Sequence, residues 1–551
     1  MNVKAWNRTV VLLVFAILSA ATLVPLWSAA GWPSNHNDTL FALHTHIYAR
    51  HFSWLDLLPI WSSADASGFG SPMPALYHKL FYVPAGLLAL VTGSLKTADA
   101  AGIVLFLMVG ATGVYLTMRD LGASRLASIV AGCCLITANY TVTNWLVRGA
   151  VAEFSSAMVV PWVLLLFVRS IRAGRLLVGL GVTLALVWLG HSVLGYYVVL
   201  IFGTTYLALA VTGLAPWSVL RPQTAWRSIV CFAAIVVPFL VPMAVLGRGY
   251  DIHRMLTPPF QPADQFKPLI EYLWETHYRF GRTVAGMTVE LDHAVVVALV
   301  VSLCVLGLRR PAAGEAPRRR ILQPVAAFLI VAALGLFLQL EIAEPIYEWL
   351  PGAAYIQFPW RLLALITPTL IVAALYLVDK TLPSDAKTFA FGAIATWMVV
   401  ACGAFVPLQD PHITSEPQLA GVTFSGFREY EPRDAAPLVE IRAAIAQRWV
   451  EAGCAYDNLD PTNEEVPVAR FRTSCGRSAV LPLPLYSSPL HTVTAMHYAR
   501  SQPCVLLTGF PSICGVVVPS GDDVISVHLP NMAALAGSAW HALRGGLRRI
   551  W

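Results

Sequence analysis

The sequence predicts an α-helical polytopic membrane protein of about eleven transmembrane helices, followed by a small β-rich C-terminal extracytoplasmic domain. Composition is the first reason: 57% of the 551 residues are hydrophobic, 12% are charged, and the mean hydropathy is +0.64, which excludes a soluble globular protein. Patterning is the second reason, because apolar stretches of about 20 residues, enough to cross a ~30 Å hydrocarbon layer, alternate with charged connectors. The pattern stops at about Pro407, and such stretches must be helical to satisfy their own backbone hydrogen bonds.

Predicted spans occupy most of residues 1–407. The first follows Lys4 and Arg8 and resembles a signal peptide. It lacks a convincing A-x-A cleavage site and further spans follow it, so we expect an uncleaved first span. The predicted spans are 9–29, 98–118, 125–144, 153–169, 175–190, 194–213, 228–246, 293–308, 322–340, 362–379 and 388–406.

The charges of the connectors predict the orientation of the chain. Short connectors on one side carry arginine and lysine, whereas the long connectors between them carry most of the carboxylates. The positive-inside rule therefore places the N-terminus in the cytoplasm and everything after Pro407 outside it, and we expect a bacterial inner membrane. This arrangement accounts for the formal charge of +6, so no nucleic-acid partner is expected. The basic connectors contain Arg119, Arg125, Arg169, Arg172, Arg175, Arg221, Arg227, Arg309, Arg310, Arg318, Arg319, Arg320, Lys380 and Lys387.

Three outer connectors are predicted at 30–97, 247–292 and 341–361. The segment PALYHKLFYVPAGLLALVTGSL in the first could form a further span. We favour a helix lying in the membrane interface, because Pro74, Pro84, His78 and Lys79 suit that position. A further span would also invert the charge bias of every later connector. The second connector is rich in Pro, Tyr, Trp and charge, and we expect it to form a folded external cap.

The tail, 408–551, alternates short apolar runs with Gly, Pro, Ser and Asn, which is typical of β-strands. The runs are SAVLPLPLY, CVLLTGF and CGVVVPSGDDVISVHL, and a helix is predicted before them in AAPLVEIRAAIAQRWVEAG. The final segment, NMAALAGSAWHALRGGLRRIW, predicts an amphipathic surface helix that contacts anionic headgroups, with a last span as the alternative.

Cysteine positions agree with this orientation. Five cysteines lie in predicted spans, where cysteine behaves as a small apolar residue, and the other four lie in the tail. Four cysteines in an oxidising compartment allow three pairings, of which we favour Cys454–Cys475 and Cys504–Cys514. The absence of a C-x-x-C spacing argues against a zinc site.

Titratable residues at the outer ends of spans are the candidates for chemistry, because an ionised side chain at the bilayer centre costs about 2.5–3.5 kcal/mol on insertion scales. Asp38 follows the first span, in SNHNDTLFALHTHIYARHF, and opens a segment with helical apolar spacing. A carboxylate there could accept a proton from a sugar hydroxyl, or bind a divalent cation such as Mg²⁺ or Mn²⁺. The alternative is a helix N-cap, for which Asp is a preferred residue.

Three further places carry charged or titratable side chains near the outer surface. Arg148 and Glu153, in NWLVRGAVAEFSS, flank a tight turn at Gly149 and could form a salt bridge, or Arg148 could bind a phosphate. His191, in WLGHSVLGYY, lies in a very short outer turn, where a structural role is the alternative. Arg361 ends the aromatic segment QFPWR, either as a site for an anionic headgroup or as part of an ordinary interfacial belt.

The order of these features resembles the GT-C superfamily of polytopic glycosyltransferases and, more narrowly, the membrane proteins called 6-pyruvoyl-tetrahydropterin-synthase-related. An early external acid precedes an interfacial Pro/aromatic helix and then a span, a short basic turn and a span in LTMRDLGASRLASIVAG. The chain departs from that pattern at Asn37 and Ala42, where the family usually has histidines. The matching segments are Asp38-Thr39, Gly68-Phe69-Gly70 with Pro72, Pro74 and Tyr77, Arg148-Gly149-Ala150 with Ala152-Glu153, His191, and Gln357-Phe358-Pro359-Trp360-Arg361.

This resemblance implies transfer of a hexosyl or pentosyl group from a polyprenyl-phosphate or polyprenyl-diphosphate donor to a cell-envelope glycan or lipid acceptor outside the cytoplasm. Asp38 would be the general base or a metal ligand, with Glu153 as a second catalytic carboxylate. Arg148, Arg361 and His191 would bind the donor phosphate. No nucleotide-binding loop or G-x-S-x-G elbow occurs in the sequence, which argues against ATP-driven transport and serine hydrolysis.

Two other classes of protein stay open. A transporter or flippase would place ionisable groups and broken helices near the membrane midplane, often in inverted repeats, and the sequence shows no repeat between its halves. A non-catalytic cell-envelope assembly protein would use the disulfide-bonded tail to bind a glycan or a protein.

Overall fold

The computed structural model describes residues 3–28, 41–53, 56, 59–63, 65–250, 252–273, 289–308, 318–405, 432–435, 437–459, 467–488, 491–495 and 501–528. Asp38 and the predicted terminal helix at 531–551 lie outside these residues. The chain divides into two compact units. The first comprises the described residues of Met1–Leu43, His78–Val236 and Leu256–Glu416, and the second those of His44–Tyr77, Val237–Met255 and Pro417–Trp551.

Helices make up most of the described chain. In order they are α1 Val3–Thr22, α2 Val24–Ser28, α3 Phe41–Ser53, α4 Met73–Leu76, α5 Tyr82–Thr92, α6 Leu95–Asp120, α7 Arg125–Thr137, α8 Asn139–Val142, α9 Val151–Ala173, α10 Val178–Gly190, α11 Ser192–Val211, α12 Pro222–Leu246, α13 Leu269–Leu273, α14 His293–Leu308, α15 Arg318–Phe337, α16 Glu344–Trp349, α17 Leu363–Thr381, α18 Ser384–Phe405 and α19 Leu438–Glu451.

Helices occupy the position of every predicted span, and they make the chain an integral membrane protein. Among the described residues, five helices are long and apolar enough to cross a membrane: α6, α9, α11, α12 and α17 with its preceding turn. The number rises to seven if two bent pairs each count as one span, one bent by 43° after α7 and one by 89° after α15. The prediction of about eleven spans is not confirmed, because helices such as α10 and α14, with 13 and 16 residues, fall short of the ~20 that a span needs.

Helices α9 and α17 form the centre of the first unit, and most of their side chains are buried. Helix α9 packs against α6 and α10, and α17 packs against α7, α14 and α15. Glycines allow α6 to approach α9 closely: a Cβ at Gly110 would lie 2.6 Å from Met158 Sδ, and one at Gly113 would lie 2.8 Å from Pro161 Cβ. Small residues at such contacts are the usual means by which membrane helices pack.

The segment predicted as one interfacial helix, 74–95, instead contains an interruption. Helix α4 ends at Leu76 and α5 begins at Tyr82. The Lys79 N–H donates to the Leu189 carbonyl oxygen at 2.9 Å, so a long-range hydrogen bond replaces a helical one within the interruption. Pro84 lies in the first turn of α5, where a missing N–H is tolerated.

The second unit contains two antiparallel sheets and α19. The five-stranded sheet has the order β1-β2-β8-β4-β5 and the three-stranded sheet has the order β3-β7-β6. The β-rich tail and the helix before it are confirmed, and strands β1, β2, β4 and β5 lie outside the predicted apolar runs. The strands are β1 Cys454–Leu459, β2 Pro467–Cys475, β3 Ala479–Tyr486, β4 Thr492–Ala495, β5 Gln502–Pro503, β6 Val505–Leu507, β7 Phe510–Val518 and β8 Gly521–His528.

Both favoured cysteine pairings are confirmed. Cys454 and Cys475 lie opposite each other in the register of β1 and β2, with their Cα atoms 4.3 Å apart. Cys504 and Cys514 join the start of β6 to β7, with a Cα separation of 5.0 Å. These separations lie at or near the range that a disulfide spans.

Part of the first outer connector contributes to the hydrophobic core of the second unit. Trp61 and Phe69 are buried in the same cluster as Trp449 of α19. The Phe69 carbonyl oxygen accepts the Tyr486 N–H at 2.8 Å, and the two rings lie 5.4 Å apart. The Gly68-Phe69-Gly70 segment, one of those that carry the family resemblance, therefore packs within this unit.

Candidate functional site

An irregular stretch of helix in the first unit places Arg148. Helix α8 continues into a π-helical turn, Thr143–Val147, in which the Arg148 N–H donates to the Thr143 carbonyl oxygen at 2.9 Å. Such turns are rare and occur frequently at functional sites. Gly149, at φ +64°, then redirects the chain, and α9 begins at Val151. The side chain of Arg148 consequently lies beside the first turn of α9.

The guanidinium group of Arg148 is buried among polar and aromatic partners. Its Nη1 donates to Glu153 Oε2 at 2.9 Å, and also to Asn144 Oδ1 and Tyr140 Oη. The group lies 4.7 Å from the centroid of the Trp360 ring, within cation–π distance. The side chains of Arg148 and Glu153 are only 2% and 1% exposed. The salt bridge that the sequence offered as an alternative is therefore present, and it is buried.

Glu153 binds donors from three other residues. The Tyr140 hydroxyl donates to Oε1, while Arg148 donates to Oε2 and Arg361 Nε lies 3.3 Å from the same oxygen. Glu153 occupies the first turn of α9, where the helix dipole favours a negative charge. Because both oxygens are engaged and buried, this carboxylate holds the two guanidinium groups side by side.

A strained turn precedes Arg361. Gln357 has φ +60° and ψ −49°, and the Phe358 N–H donates across it to the Ile356 carbonyl oxygen at 2.6 Å. This is a γ-turn with positive φ, a conformation that costs on the order of 1–3 kcal/mol. Arg361 Nη1 donates to the same Ile356 oxygen at 3.0 Å and to Gln357 Oε1 at 3.2 Å. The turn therefore fixes the direction of the Arg361 side chain.

Tyr140, Asn144, Arg148, Glu153 and Arg361 are together termed the arginine cluster. Within the cluster, two guanidinium groups share one buried carboxylate. Guanidinium groups match phosphate and carboxylate oxygens in geometry. The Arg361 side chain, at 12% exposed, is the more accessible of the two. The arrangement is suited to binding an anion.

Two stacked histidines lie near the arginine cluster. His191 alone connects α10 to α11, as the predicted short turn requires, and its ring centroid lies 4.5 Å from that of His78 at an interplanar angle of 25°. Burial is the main cause that lowers the pKa of both imidazoles well below the ordinary value. The arginines of the cluster lower the pKa of His191 further, and Lys79 contributes in the same direction at His78. Burial therefore favours the neutral form of both rings.

Acidic residues before α14 fix the bent helix that carries Tyr140. The Asn139 N–H donates to Asp292 Oδ1 at 2.9 Å, and Asn139 Nδ2 donates to the Glu290 carbonyl oxygen at 2.9 Å. The Glu290 carboxylate in turn contacts the His293 ring. Burial raises the pKa of Asp292 to about 7, against the opposing effect of the Asn139 hydrogen bond.

The structure brings together four of the five predicted site residues: Arg148, Glu153, Arg361 and His191. Asp38 lies outside the described residues, so its position relative to the others stays a prediction. Among the described residues, no group of three or more His, Cys, Asp or Glu side chains is arranged to hold a metal ion. The metal-binding role of Asp38 likewise stays a prediction.

Several residues of this region were not predicted as site residues. Asn144 precedes Arg148 by four positions, the spacing of neighbours on a helix, and this signal could have identified it. Tyr140 has no comparable signal because a π-helical turn separates it from Arg148. His78 is far from His191 in sequence, and no local pattern relates the two.

No protein-family model and no curated protein matches the chain. Among solved structures, the arabinofuranosyltransferase AftD from Mycobacteria matches at 19% identity and a TM-score of 0.43, over 80% of this chain and 29% of that one. The Archaeoglobus fulgidus oligosaccharyltransferase in its apo form matches at 13% identity and a TM-score of 0.44, over 75% of this chain and 57% of that one. The same enzyme tethered to an acceptor peptide matches at 12% identity and a TM-score of 0.43, over 77% and 56%. The chain therefore spans less than two thirds of the length of each structure.

Proposed function

We propose that this chain is a membrane glycosyltransferase that moves a sugar from a polyprenyl-phosphate-linked donor to an acceptor on the outer side of the membrane. The observation that carries the proposal is the arginine cluster, in which two guanidinium groups share one carboxylate in a buried site. A polyprenyl donor enters from the lipid, so its phosphate arrives at headgroup depth. The Arg148-Gly149-Ala150 and QFPWR segments, which form the cluster, also carry the resemblance to GT-C enzymes.

The proposed reaction is a direct inverting displacement. The hydroxyl oxygen of the acceptor attacks the anomeric carbon, the bond from that carbon to the donor phosphate oxygen breaks, and its electron pair goes to the phosphate oxygen. The hydroxyl proton passes to the Asp38 carboxylate, and polyprenyl phosphate leaves. A divalent cation bound by Asp38, Mg²⁺ or Mn²⁺, is the alternative role for that residue.

Within this reaction the two arginines have different tasks. Arg361, the more exposed, binds the phosphate, and its positive charge stabilises the negative charge that develops on the leaving oxygen. Arg148 contributes positive charge from its more deeply buried position, and it holds Glu153 through the 2.9 Å ion pair. Glu153 acts as a positioning residue in this proposal, because its oxygens are engaged by Tyr140 and the two arginines.

Binding of polyprenyl monophosphate to the full chain in lipid nanodiscs tests the anion site. Arg361→Gln should raise the Kd at least tenfold, because a hydrogen bond to a charged group contributes about 1.5–3 kcal/mol. Arg175→Gln, which changes an exposed arginine in a predicted cytoplasmic connector, is the matched control and should bind as the wild type does. Equal binding by Arg361→Gln and wild type would remove the anion site from the proposal.

Sugar transfer itself is tested with lipid-linked sugars extracted from the source membrane. Purified protein should release polyprenyl phosphate from them in the presence of envelope acceptors, and Asp38→Asn and Asp38→Ala should each abolish the release. Unchanged turnover by both variants would exclude Asp38 as the base. If only added Mn²⁺ or Mg²⁺ restores turnover after chelation, Asp38 is assigned to the metal instead.

One observation favours the flippase alternative. Two helix pairs are bent, by 43° after α7 and by 89° after α15, and broken helices are a feature of transporters. Reconstituted liposomes that contain a fluorescent polyprenyl phosphate separate the two functions. Movement of the probe between leaflets without any sugar transfer would favour the flippase.

A further inference from the structure

The bend between α7 and α8 is stabilised by an acceptor from a distant part of the chain. Ala138 has extended backbone, with φ −61° and ψ +140°, and the helical stretch after it departs from the direction of α7 by 43°. The Asn139 N–H, at the start of α8, donates to Asp292 Oδ1 at 2.9 Å. Asp292 lies just before α14, so a carboxylate from another segment satisfies a backbone donor that the break leaves without a helical partner.

Asn139 is bound to the segment before α14 at a second point. Its Nδ2 donates to the Glu290 carbonyl oxygen at 2.9 Å, and the Thr143 hydroxyl donates to its Oδ1 at 3.4 Å. Because a backbone carbonyl oxygen only accepts, the amide orientation is fixed with Nδ2 toward Glu290. Asn139 is buried, so these hydrogen bonds are shielded from water. Residues 290–292 therefore hold the start of α8 in place.

Tyr140 is the residue through which this attachment reaches the arginine cluster. It follows Asn139 directly, and its hydroxyl donates to Glu153 Oε1. Asn144, the other cluster member on this stretch, is held from the side of α9, because the Ala150 N–H donates to the Asn144 carbonyl oxygen at 2.8 Å. A change in the direction of α8 should therefore displace the Tyr140 hydroxyl more than it displaces Asn144.

We infer that Asp292 is a positioning residue of the anion site: through Asn139 it sets the direction in which α8 presents Tyr140. Tyr140 in turn holds Glu153, which both guanidinium groups of the arginine cluster contact. The inference rests on the proposed function and extends it to the end of the second outer connector, which supports phosphate binding without touching the phosphate. Chains of hydrogen bonds between packed elements can carry such coupling.

Binding of polyprenyl monophosphate to the full chain in lipid nanodiscs tests the role of the acceptor. Asp292→Ala removes it and should raise the Kd roughly fivefold, within the range that residues without ligand contact produce. Asp292→Asn retains an acceptor oxygen and should bind within about twofold of the wild type. Equal weakening by the two variants would show that the hydrogen bond to Asn139 is not what matters, and would overturn the inference.

Ser128→Ala is the matched control for a general loss of helix stability. It removes a buried hydroxyl that donates to the Ser124 carbonyl oxygen at 2.8 Å, at the other end of α7. This variant should bind as the wild type does. Weakening equal to that of Asp292→Ala would show that any loss of a buried hydrogen bond in this helix pair lowers affinity, and the specific role of Asp292 would be wrong.

A double-mutant cycle tests whether Asp292 acts through Tyr140. Tyr140→Phe removes the hydroxyl that donates to Glu153 and should by itself weaken binding about as much as Asp292→Ala does. Adding Asp292→Ala to Tyr140→Phe should then raise the Kd by less than about twofold, because coupled residues are not additive. Multiplied effects, or no effect of Tyr140→Phe, would show that Asp292 does not act by this route.

Nuclear magnetic resonance of the full chain labelled with ¹³Cζ-tyrosine gives a readout that needs no ligand. The resonance that is lost in Tyr140→Phe assigns Tyr140. Asp292→Ala should shift this resonance, because the contact of the hydroxyl with Glu153 changes, whereas Asp292→Asn should leave it at the wild-type position. An unshifted Tyr140 resonance in Asp292→Ala would overturn the inference.

The outcomes distinguish this inference from the proposed function. If Arg361→Gln weakens binding and Asp292→Ala does not, the anion site stands and the positioning role is wrong. If Arg361→Gln binds as the wild type does, the anion site fails, and a shifted Tyr140 resonance would then leave Asp292 with a structural role alone. Weakened binding by Arg361→Gln and Asp292→Ala, together with a shifted resonance, is the expected result.

Discussion

Glu153 lies between two buried guanidinium groups. Arg148 and Arg361 both approach its Oε2, at 2.9 and 3.3 Å. Glu153→Gln keeps the shape and removes the charge, so two cations would face each other in a place that is almost dry. Removing one partner of a buried ion pair costs about 3–5 kcal/mol, and we expect a loss of stability of that order.

The test is the free energy of unfolding of the full chain in detergent, measured for Glu153→Gln and for Glu348→Gln. Glu348 is exposed, so its substitution should change stability by no more than about 0.5 kcal/mol. Equal stability of the two variants would show that Glu153 does not neutralise the arginines in the folded protein.

Gln357 links backbone strain to the direction of Arg361. Gly adopts positive φ without steric cost, so Gln357→Gly should stabilise the fold by about 1 kcal/mol. The same change removes the Oε1 atom that accepts from Arg361 at 3.2 Å, so binding of polyprenyl monophosphate should weaken severalfold. Melting temperature and Kd, measured together, check this. A variant that is both less stable and an equally tight binder would contradict the account.

At the scale of elements, the loop before α4 is held by a close approach of backbone to an aromatic ring. Gly70 has φ +78°, and a Cβ there would lie 2.4 Å from Trp61 Nε1. Trp61 is buried in the core of the second unit and cannot move aside freely. Gly70→Ala should therefore destabilise this unit by about 2–4 kcal/mol, through overpacking and the strain of positive φ.

Hydrogen exchange in strands β3 and β7 of the full chain measures the effect within this unit. Gly249→Ala is the matched control, because a Cβ at Gly249 meets nothing within 4 Å. Faster exchange in both variants, or in neither, would show that the close approach to Trp61 does not restrict the side chain at position 70.

Two buried titratable groups of the second unit should give it opposite responses to pH. Burial lowers the pKa of His491 from 6.5 to about 3, so the unfolded chain binds a proton that the folded chain refuses, and stability falls as the pH drops through that window. Burial raises the pKa of Asp65 from 3.8 to about 6, against the hydrogen bond from Ser71, so stability falls as the pH rises from about 4 to 6.

Single substitutions should expose each response. His491→Phe, which retains the ring contact with Trp61, should lose less protection from hydrogen exchange in β4 and β8 on acidification than the wild type does. As the pH rises from 4 to 6, Asp65→Asn should lose less protection from hydrogen exchange than the wild type does. Identical pH profiles for the three proteins, after correction for intrinsic exchange, would contradict both assignments.

Across the whole molecule, local sequence pattern predicted what depends on neighbours in the chain. Apolar periodicity located the helices and the β-rich tail, and the five-residue spacing of Arg148 and Glu153 indicated their salt bridge. Pattern could not predict that Trp360, far along the chain, contacts Arg148. It also missed the bend at Ala138, where no Gly or Pro interrupts the helix and the break instead depends on a hydrogen bond to Asp292.

Local pattern also could not predict that the first outer connector belongs to the same unit as the C-terminal sheets. The described residues of His44–Tyr77 belong to the same compact unit as the C-terminal sheets, although the predicted membrane part lies between them in sequence. Hydrophobic pattern reports which face of an element is buried, and it does not identify the partner that covers that face. The sequence therefore does not identify the partners of Trp61 and Phe69, which the structure places in a core.

The orientation of the whole chain rests on connector charge alone, and surface labelling can test it. Val439, on α19, is 82% exposed, and Ala386, near the start of α18, is also exposed. The positive-inside rule puts residues after Pro407 outside and the connector around Lys380 and Lys387 in the cytoplasm.

A membrane-impermeant maleimide should therefore label Val439→Cys in intact spheroplasts, and it should label Ala386→Cys only after the membrane is permeabilised. Wild type gives the background from native cysteines. Labelling of Ala386→Cys before permeabilisation would invert the topology, and the arginine cluster would then have to be reconsidered as a site that meets cytoplasmic anions.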